Sequence, residues 1–186
     1  MRIPSNPVGS RGARLAAALV FVLPVATCPG ATGTGTQTLN ALIYPIAKLT
    51  VPASVTLTAG AAQFTPFQAS VPITYRARTT PAGGGTMTLQ VTSDFAPAGG
   101  PSAASGALTY TCTSANLGTA CSGAQTASTT LQTPVLTLPA SACTGGGGAC
   151  SAQDPNSLTL NFTVVDDPRY DTGSYSAKVT FIISAT

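Results

Sequence analysis

The chain contains no histidine, no glutamate and no tryptophan, and only 7% of its residues are charged. Each absence removes a class of function. Without His or Glu, acid–base catalysis would have to be built from Asp pairs, a Cys nucleophile or a Ser–Lys couple tuned within a pocket. Lys48 and Lys178 are the only lysines, and both fall in strand-like stretches among Thr and Ser neighbours, as solvent-facing lysines do. The chain therefore reads as non-enzymatic, with no catalytic residue and no cofactor. Without Trp, the aromatic platform that sugar sites commonly present is reduced to Phe and Tyr. Several of these fall on inward positions of alternating runs, and Tyr170 is the one Tyr clearly in a loop. Basic charge is also scarce where it would matter. The net +3 comes from Arg2, Arg11 and Arg14 at the N-terminus; beyond them Lys48, Arg76, Arg78, Arg169 and Lys178 are matched by Asp94, Asp154, Asp166, Asp167 and Asp171. A neutral body has no electrostatic footprint for nucleic acid or an anionic membrane.

What is present begins with a leader. Three arginines and no acid precede an apolar run from Leu15 to Ala26, followed by the small residues Thr27, Cys28, Gly30, Ala31 and Gly33. A basic start, a short apolar core and small residues make a secretory signal peptide, expected here over residues 1–33. Cleavage is expected after Ala31 or Gly33, with Thr27 as an alternative. The run is too short to cross about 30 Å of hydrocarbon, and Pro24 interrupts it, so no transmembrane segment is expected. Val25-Ala26-Thr27-Cys28 loosely resembles a bacterial lipobox, which makes Cys28 a candidate for lipidation; otherwise Cys28 leaves with the leader. Residues 34–186 are expected to form one domain, exported to the periplasm, the cell surface or the medium.

That domain alternates. Leu158, Leu160, Phe162 and Val164 share one face of a run whose other face carries Thr159, Asn161 and Thr163. Tyr175, Ala177, Val179, Phe181 and Ile183 do the same, against Ser176, Lys178, Thr180 and Ser184. Period-two alternation places one face in a core and the other toward water. The two runs read as a β-hairpin, and so do Ser70–Thr79 and Thr86–Phe95 around the glycines at 83–85. Further strands are expected at Thr38–Val51, Ala53–Thr58, Ala107–Thr113 and Thr126–Leu138, with Phe64 and Phe67 plugging one end of the core. Short strands separated by turn signals, with no helical period beyond the leader, define an all-β fold: an antiparallel two-sheet immunoglobulin-like sandwich of about eight or nine strands.

The domain carries Cys112, Cys121, Cys143 and Cys150, an even count in an exported chain, which reads as two disulfides. Three pairings are possible. The local ones, Cys112–Cys121 and Cys143–Cys150, are favoured because each brackets a Gly- or Ser-containing loop. A four-thiolate zinc site would want pairs about two to four residues apart, which these spacings do not supply. Asp166, Asp167 and Asp171 lie close together around Arg169 and are the candidate calcium ligands, set against a plain loop in which Arg169 neutralises a neighbour.

The run Gly173-Ser174-Tyr175-Ser176-Ala177-Lys178-Val179-Thr180-Phe181-Ile182-Ile183 resembles the closing strand of exported bacterial surface domains, those of spore coat protein U type pilins and WxL-type cell-surface proteins. The resemblance implies a fimbrial or surface-layer role, as a structural or interaction protein. A carbohydrate-binding module, or a module for another surface ligand, is the alternative. Partners are then other surface proteins or the chain itself. Residues 34–50, apolar on both faces, are either the sandwich's own first strand or a strand donated to a neighbouring subunit. Pairing within its own chain and a monomeric purified protein are expected, because enough strands remain without a donor and Pro45 breaks the run.

Overall fold

The computed structural model describes residues 35–113, 115–143, 150 and 155–186. The leader, its cleavage sites and Cys28 lie outside the described residues. Residues 35–40 belong to a first compact unit, Met1–Asn40; they form no strand and are exposed. The second unit, Ala41–Thr186, holds the strands.

The expected two-sheet antiparallel sandwich is present. Nine strands occur among the described residues: β1 Ile46–Thr50, β2 Phe67–Arg78, β3 Gly85–Ala96, β4 Leu108–Thr113, β5 Thr119–Ala120, β6 Gln125–Thr126, β7 Thr133–Leu138, β8 Asn156–Val164 and β9 Ser176–Ala185. One sheet has the order β1-β2-β8-β4-β6 and the other β5-β7-β3-β9. After β2 the chain changes sheet at every connection, so β1 and β2 are the one sequential pair that are also neighbours. The two hairpins read from the sequence are thereby corrected. β2 pairs with β8 and β1, whereas β3 pairs with β7 and β9; β8 pairs with β2 and β4, whereas β9 pairs with β3. Two amphipathic strands can bury their apolar faces side by side or face to face across a core. Alternation is identical in both cases, and here the chain takes the second.

The core is the meeting of these faces. Ile73 and Tyr75 of β2, Met87, Leu89 and Val91 of β3, Val135 of β7 and Leu158 and Leu160 of β8 are almost fully enclosed. Each such side chain contributes about 1.5–3 kcal/mol of burial. Two tyrosines reach through the core and end on polar partners. Tyr110 Oη donates to the Pro134 carbonyl at 2.7 Å and bonds Thr133 Oγ1 at 2.8 Å, while its ring tilts against Phe162 at 5.9 Å. Tyr75 Oη donates to the Leu117 carbonyl, tying the β4–β5 connection to β2. Burial raises the pKa of both phenols, only partly offset by these bonds. Thr79, also buried, donates to the Pro139 carbonyl and accepts from the Ala142 amide, both at 2.8 Å, fixing the exit of β7 beside the end of β2.

Three further expectations change. The strand expected over Thr38–Val51 is confined to Ile46–Thr50. Proline has no amide hydrogen to donate to a ladder, and β1 begins immediately after Pro45. Ala53–Thr58 is reduced to one bridge, Thr58 with Gln68. Phe64 does not plug the core: it sits exposed in a turn at φ 56°, while Phe67 packs inward from the start of β2.

Candidate interaction surface

The two sides of the sandwich are closed differently. On the β5/β6 side, Cys112 of β4 and Cys121, just after β5, lie 1.99 Å apart at sulfur, so a cross-link joins the two sheets. Both cysteines are half-buried against the core, as the alternation of Leu108, Tyr110 and Cys112 implied. Cys143 and Cys150 also stand at bonding distance, 2.28 Å, and close the connection between β7 and β8. Both favoured pairings are thus matched by sulfur positions.

On the other side, β1 and β9 are sheet edges. β1 reaches only the Arg78 end of β2, pairing Ile46 with Arg78 and Thr50 with Thr74. Beyond it residues 51–57 run without a ladder, and the seam between the sheets opens. A groove of about 290 Å³ lies there between residues 51–57 and the first half of β9. Its floor is apolar and comes from both sheets: Val71 and Phe162 from one, Phe95, Val179 and Phe181 from the other. The inward residues of β9, Ala177, Val179, Phe181 and Ile183, are only half-buried, whereas their counterparts on β8 are buried. Among the described residues β9 has a ladder with β3 alone. An edge strand offers its unpaired backbone groups as a template for another strand. Lys178, the charged residue on β9, projects into solvent.

Ahead of β1 in the sequence the chain exposes apolar side chains in a row. Leu39 is 86% exposed, Leu42 76%, Ile43 69%, Tyr44 66% and Ile46 56%. Arg78 anchors the exit of this segment, its Nε and Nη2 donating to the Tyr44 carbonyl at 3.1 and 2.6 Å. Scattered exposed apolar residues are ordinary, but a contiguous run marks an interaction surface.

The acidic residues hold loops. Asp167 faces Arg169, with Nε to Oδ1 at 2.9 Å and Nη2 to Oδ2 at 2.6 Å, and the hydrogen bonds from Arg169 hold its carboxyl down to about 2. Asp171 lies against Gly99 of the β3–β4 connection, its amide donating to the Gly99 carbonyl at 2.9 Å. Asp166, Asp167 and Asp171 are not gathered together: among the described residues no three His, Cys, Asp or Glu side chains are placed to hold a metal ion. The residue that sequence reasoning passed over is Asp94. Its carboxylate accepts from Ser102 Oγ at 2.5 Å and from the amides of Ala103, Phe95 and Ala104 at 2.7, 2.8 and 3.4 Å. Desolvation pushes its pKa up, but these donors outweigh it and leave the carboxyl below its usual value. The sequence carried no clear signal for it: Ser102-Ala103-Ala104 lies eight residues on, and only the closure of the loop brings those donors to the carboxylate.

The outer face of the β1–β6 sheet is hydroxyl- and amide-lined. Thr109 stands opposite Thr163 and Thr111 opposite Asn161, with Ser70 beside Asn161 and donating to its Oδ1 at 2.6 Å. A shallow polar groove of about 490 Å³ runs across these residues, rimmed by Val55, Thr56 and Thr58.

No helix among the described residues is long and apolar enough to cross a membrane. No protein-family model matches the chain, and no curated protein matches it.

Proposed function

We infer that the protein is an exported, non-catalytic structural or interaction component of the bacterial cell surface. The observation that carries this reading is the row of exposed apolar side chains from Leu39 to Ile46, ahead of a sandwich that has a hydroxyl- and amide-lined outer face. Such a row is unfavourable in an isolated soluble chain and acceptable where a partner covers it. The two cysteine pairs at bonding distance fit an oxidising compartment. Fractionation of cells producing the full chain, with protease treatment of intact cells and thiol labelling, tests the reading. Surface- or periplasm-located protein without free thiols is expected; cytosolic protein with four free thiols in its body would overturn it.

The polar groove over Ser70, Thr111, Asn161 and Thr163 favours one further reading, a module for a hydroxyl-rich ligand such as a carbohydrate. A specific hit on a glycan array, lost in Asn161→Ala, would move the function to that face.

A further inference from the structure

We propose that the outer face of the β1–β6 sheet binds an acidic polysaccharide, whose anionic groups meet a cationic corner made by Lys48, Arg76 and Arg78. The inference rests on the reading of that face as a site for a hydroxyl-rich ligand, and it names the class of sugar chain: one that carries negative charge.

The charges beyond the leader cancel in sum but not in place. Of the five cations there, three fall on the neighbouring strands β1 and β2. Their ladder sets Ile46 opposite Arg78, Lys48 opposite Arg76 and Thr50 opposite Thr74. Directly opposed residues of an antiparallel pair project from the same face, with Cβ atoms about 5 Å apart. Tyr75 and Ala77 are buried, so Lys48, Arg76 and Arg78 occupy the outer face. Lys48 is exposed and both arginines are half-buried. No strand of this sheet contains an acid. Asp94 belongs to β3 of the other sheet, and Asp166, Asp167 and Asp171 to the connection after β8; Asp154 lies outside the described residues. Like charges directly across a ladder are destabilising. A lysine on an edge strand guards against edge pairing, which accounts for Lys48 but not for the arginine opposite it. In a chain with only 7% charged residues, gathering most of its cations against one another runs counter to stability. Such a local conflict is expected where a surface serves a ligand. Arg78 is also held in place, because its Nε and Nη2 donate to the Tyr44 carbonyl. A guanidinium fixed in this way loses less freedom when an anion binds.

The rest of the face indicates what carries the anion. Along β2 the outward positions continue through Thr74 to Ser70, which stands opposite Asn161 of β8. The polar groove over Ser70, Asn161 and Thr163 lies toward that end, about 20 Å from Arg76 at the rise of an extended strand. Hydroxyls and amides suit sugar hydroxyls, and guanidinium and ammonium groups suit oxyanions. A ligand that spans both needs many hydroxyls and a negative charge, and an acidic polysaccharide supplies the two together. Nucleic acid lacks the matching platform. Single strands are held by stacking on aromatic side chains, whereas the aromatics of these strands, Phe67, Tyr75, Tyr110 and Phe162, all pack inward on the core.

The test is titration calorimetry on the full chain, exported by its own leader and purified oxidised. Three probes are compared: an oligogalacturonate, a dextran oligosaccharide of the same length, and duplex DNA. The oligogalacturonate is expected to bind about tenfold or more tighter than the dextran. Its affinity should fall as salt rises from about 10 to about 150 mM, which shortens the screening length from about 30 to about 8 Å. Lys48→Glu should weaken that binding about tenfold or more. Its Tm should stay at or above that of the parent, because an acid then faces Arg76 across the ladder. Loss of binding without loss of stability separates a ligand contact from a folding defect. Lys178→Glu makes the same change of charge on the other sheet and should bind as the parent does. The proposal is overturned if Lys48→Glu binds like the parent, or if Lys178→Glu is weakened as much. DNA binding as tight as that of the oligogalacturonate would make the corner a general polyanion site and overturn the assignment to sugar. Equal binding of oligogalacturonate and dextran would overturn the role of charge and leave the hydroxyl-rich-ligand reading standing; binding of neither would end both.

Discussion

The two cysteine pairs close loops of nearly equal size, yet their removal should not cost the same. The sequence separations are 9 for Cys112–Cys121 and 7 for Cys143–Cys150. On the chain-entropy relation these cross-links restrict the unfolded chain by about 2.6 and about 2.4 kcal/mol. By that measure the two double Cys→Ser variants would be indistinguishable. The structure separates them. Cys112 and Cys121 are half-buried against the core and bridge the sheets, whereas the second pair closes a connection. Replacing the first pair by serine leaves two hydroxyls against apolar neighbours, which adds about 1–2 kcal/mol. For a domain of this length, at about 2–4 °C per kcal/mol, the expected fall in Tm is about 12 °C for Cys112→Ser/Cys121→Ser and about 7 °C for Cys143→Ser/Cys150→Ser. Calorimetry at one scan rate and pH measures both. Reducing the parent without mutation divides the first effect, because free thiols keep the apolar bulk and lose only the cross-link. Equal falls for the two variants would refute the packing argument, and no fall in either would refute the loop-closure argument.

Asp94→Asn should lower Tm at neutral pH by several degrees, because four donors from the 95–104 stretch lose a charged acceptor. Since the folded pKa of Asp94 is depressed, that stabilisation is present above the unfolded carboxyl value and is lost as pH falls through the folded one; the gap between parent and variant should narrow in Tm scans below about pH 4. Asp167→Asn, by contrast, removes a surface pair whose Arg169 side is exposed and should change Tm by no more than a degree or two. Gly100→Ala should destabilise, since a Cβ there would stand 2.2 Å from the ring of Tyr175; chemical denaturation should show a lower midpoint at an unchanged slope. Calcium titration of the oxidised protein should give no heat at millimolar concentration, because Asp167 is already engaged by Arg169 and Asp171 faces Gly99.

How far the fold could be read before the structure follows from what alternation encodes. Leu158, Leu160, Phe162 and Val164 had to be inward once their polar alternates were seen, and all four are buried. The pairing of that strand was not encoded in the same way. Alternation says which face is apolar but not whether the next strand lies beside it or across from it, so the hairpins read at 70–95 and 158–183 became crossings between sheets. The connection after β8 gave a hint. Asp166-Asp167-Pro168 and Gly173 make it far longer than the two-residue turns that hold neighbouring strands together, and such length suits a chain climbing from one sheet to the other. Local chemistry was more legible where covalent reach limits the choice: short spacings picked out the cysteine pairs that the sulfur positions match. Asp94 was not legible as an anchor, because its importance depends on where the amides of Ala103 and Ala104 end up, a consequence of loop closure rather than of spacing. The segment before β1 lies between these cases. Its apolar pattern was plain and Pro45 was plain, but the pattern alone favours a strand and proline alone favours a stop. Only the position of β1, starting at Ile46 and covering half of β2, shows that the proline divides the stretch. The apolar residues before that division are then left without an intramolecular ladder, and the seam beside the first half of β9 is an apolar groove along a strand that has a ladder on one side alone among the described residues.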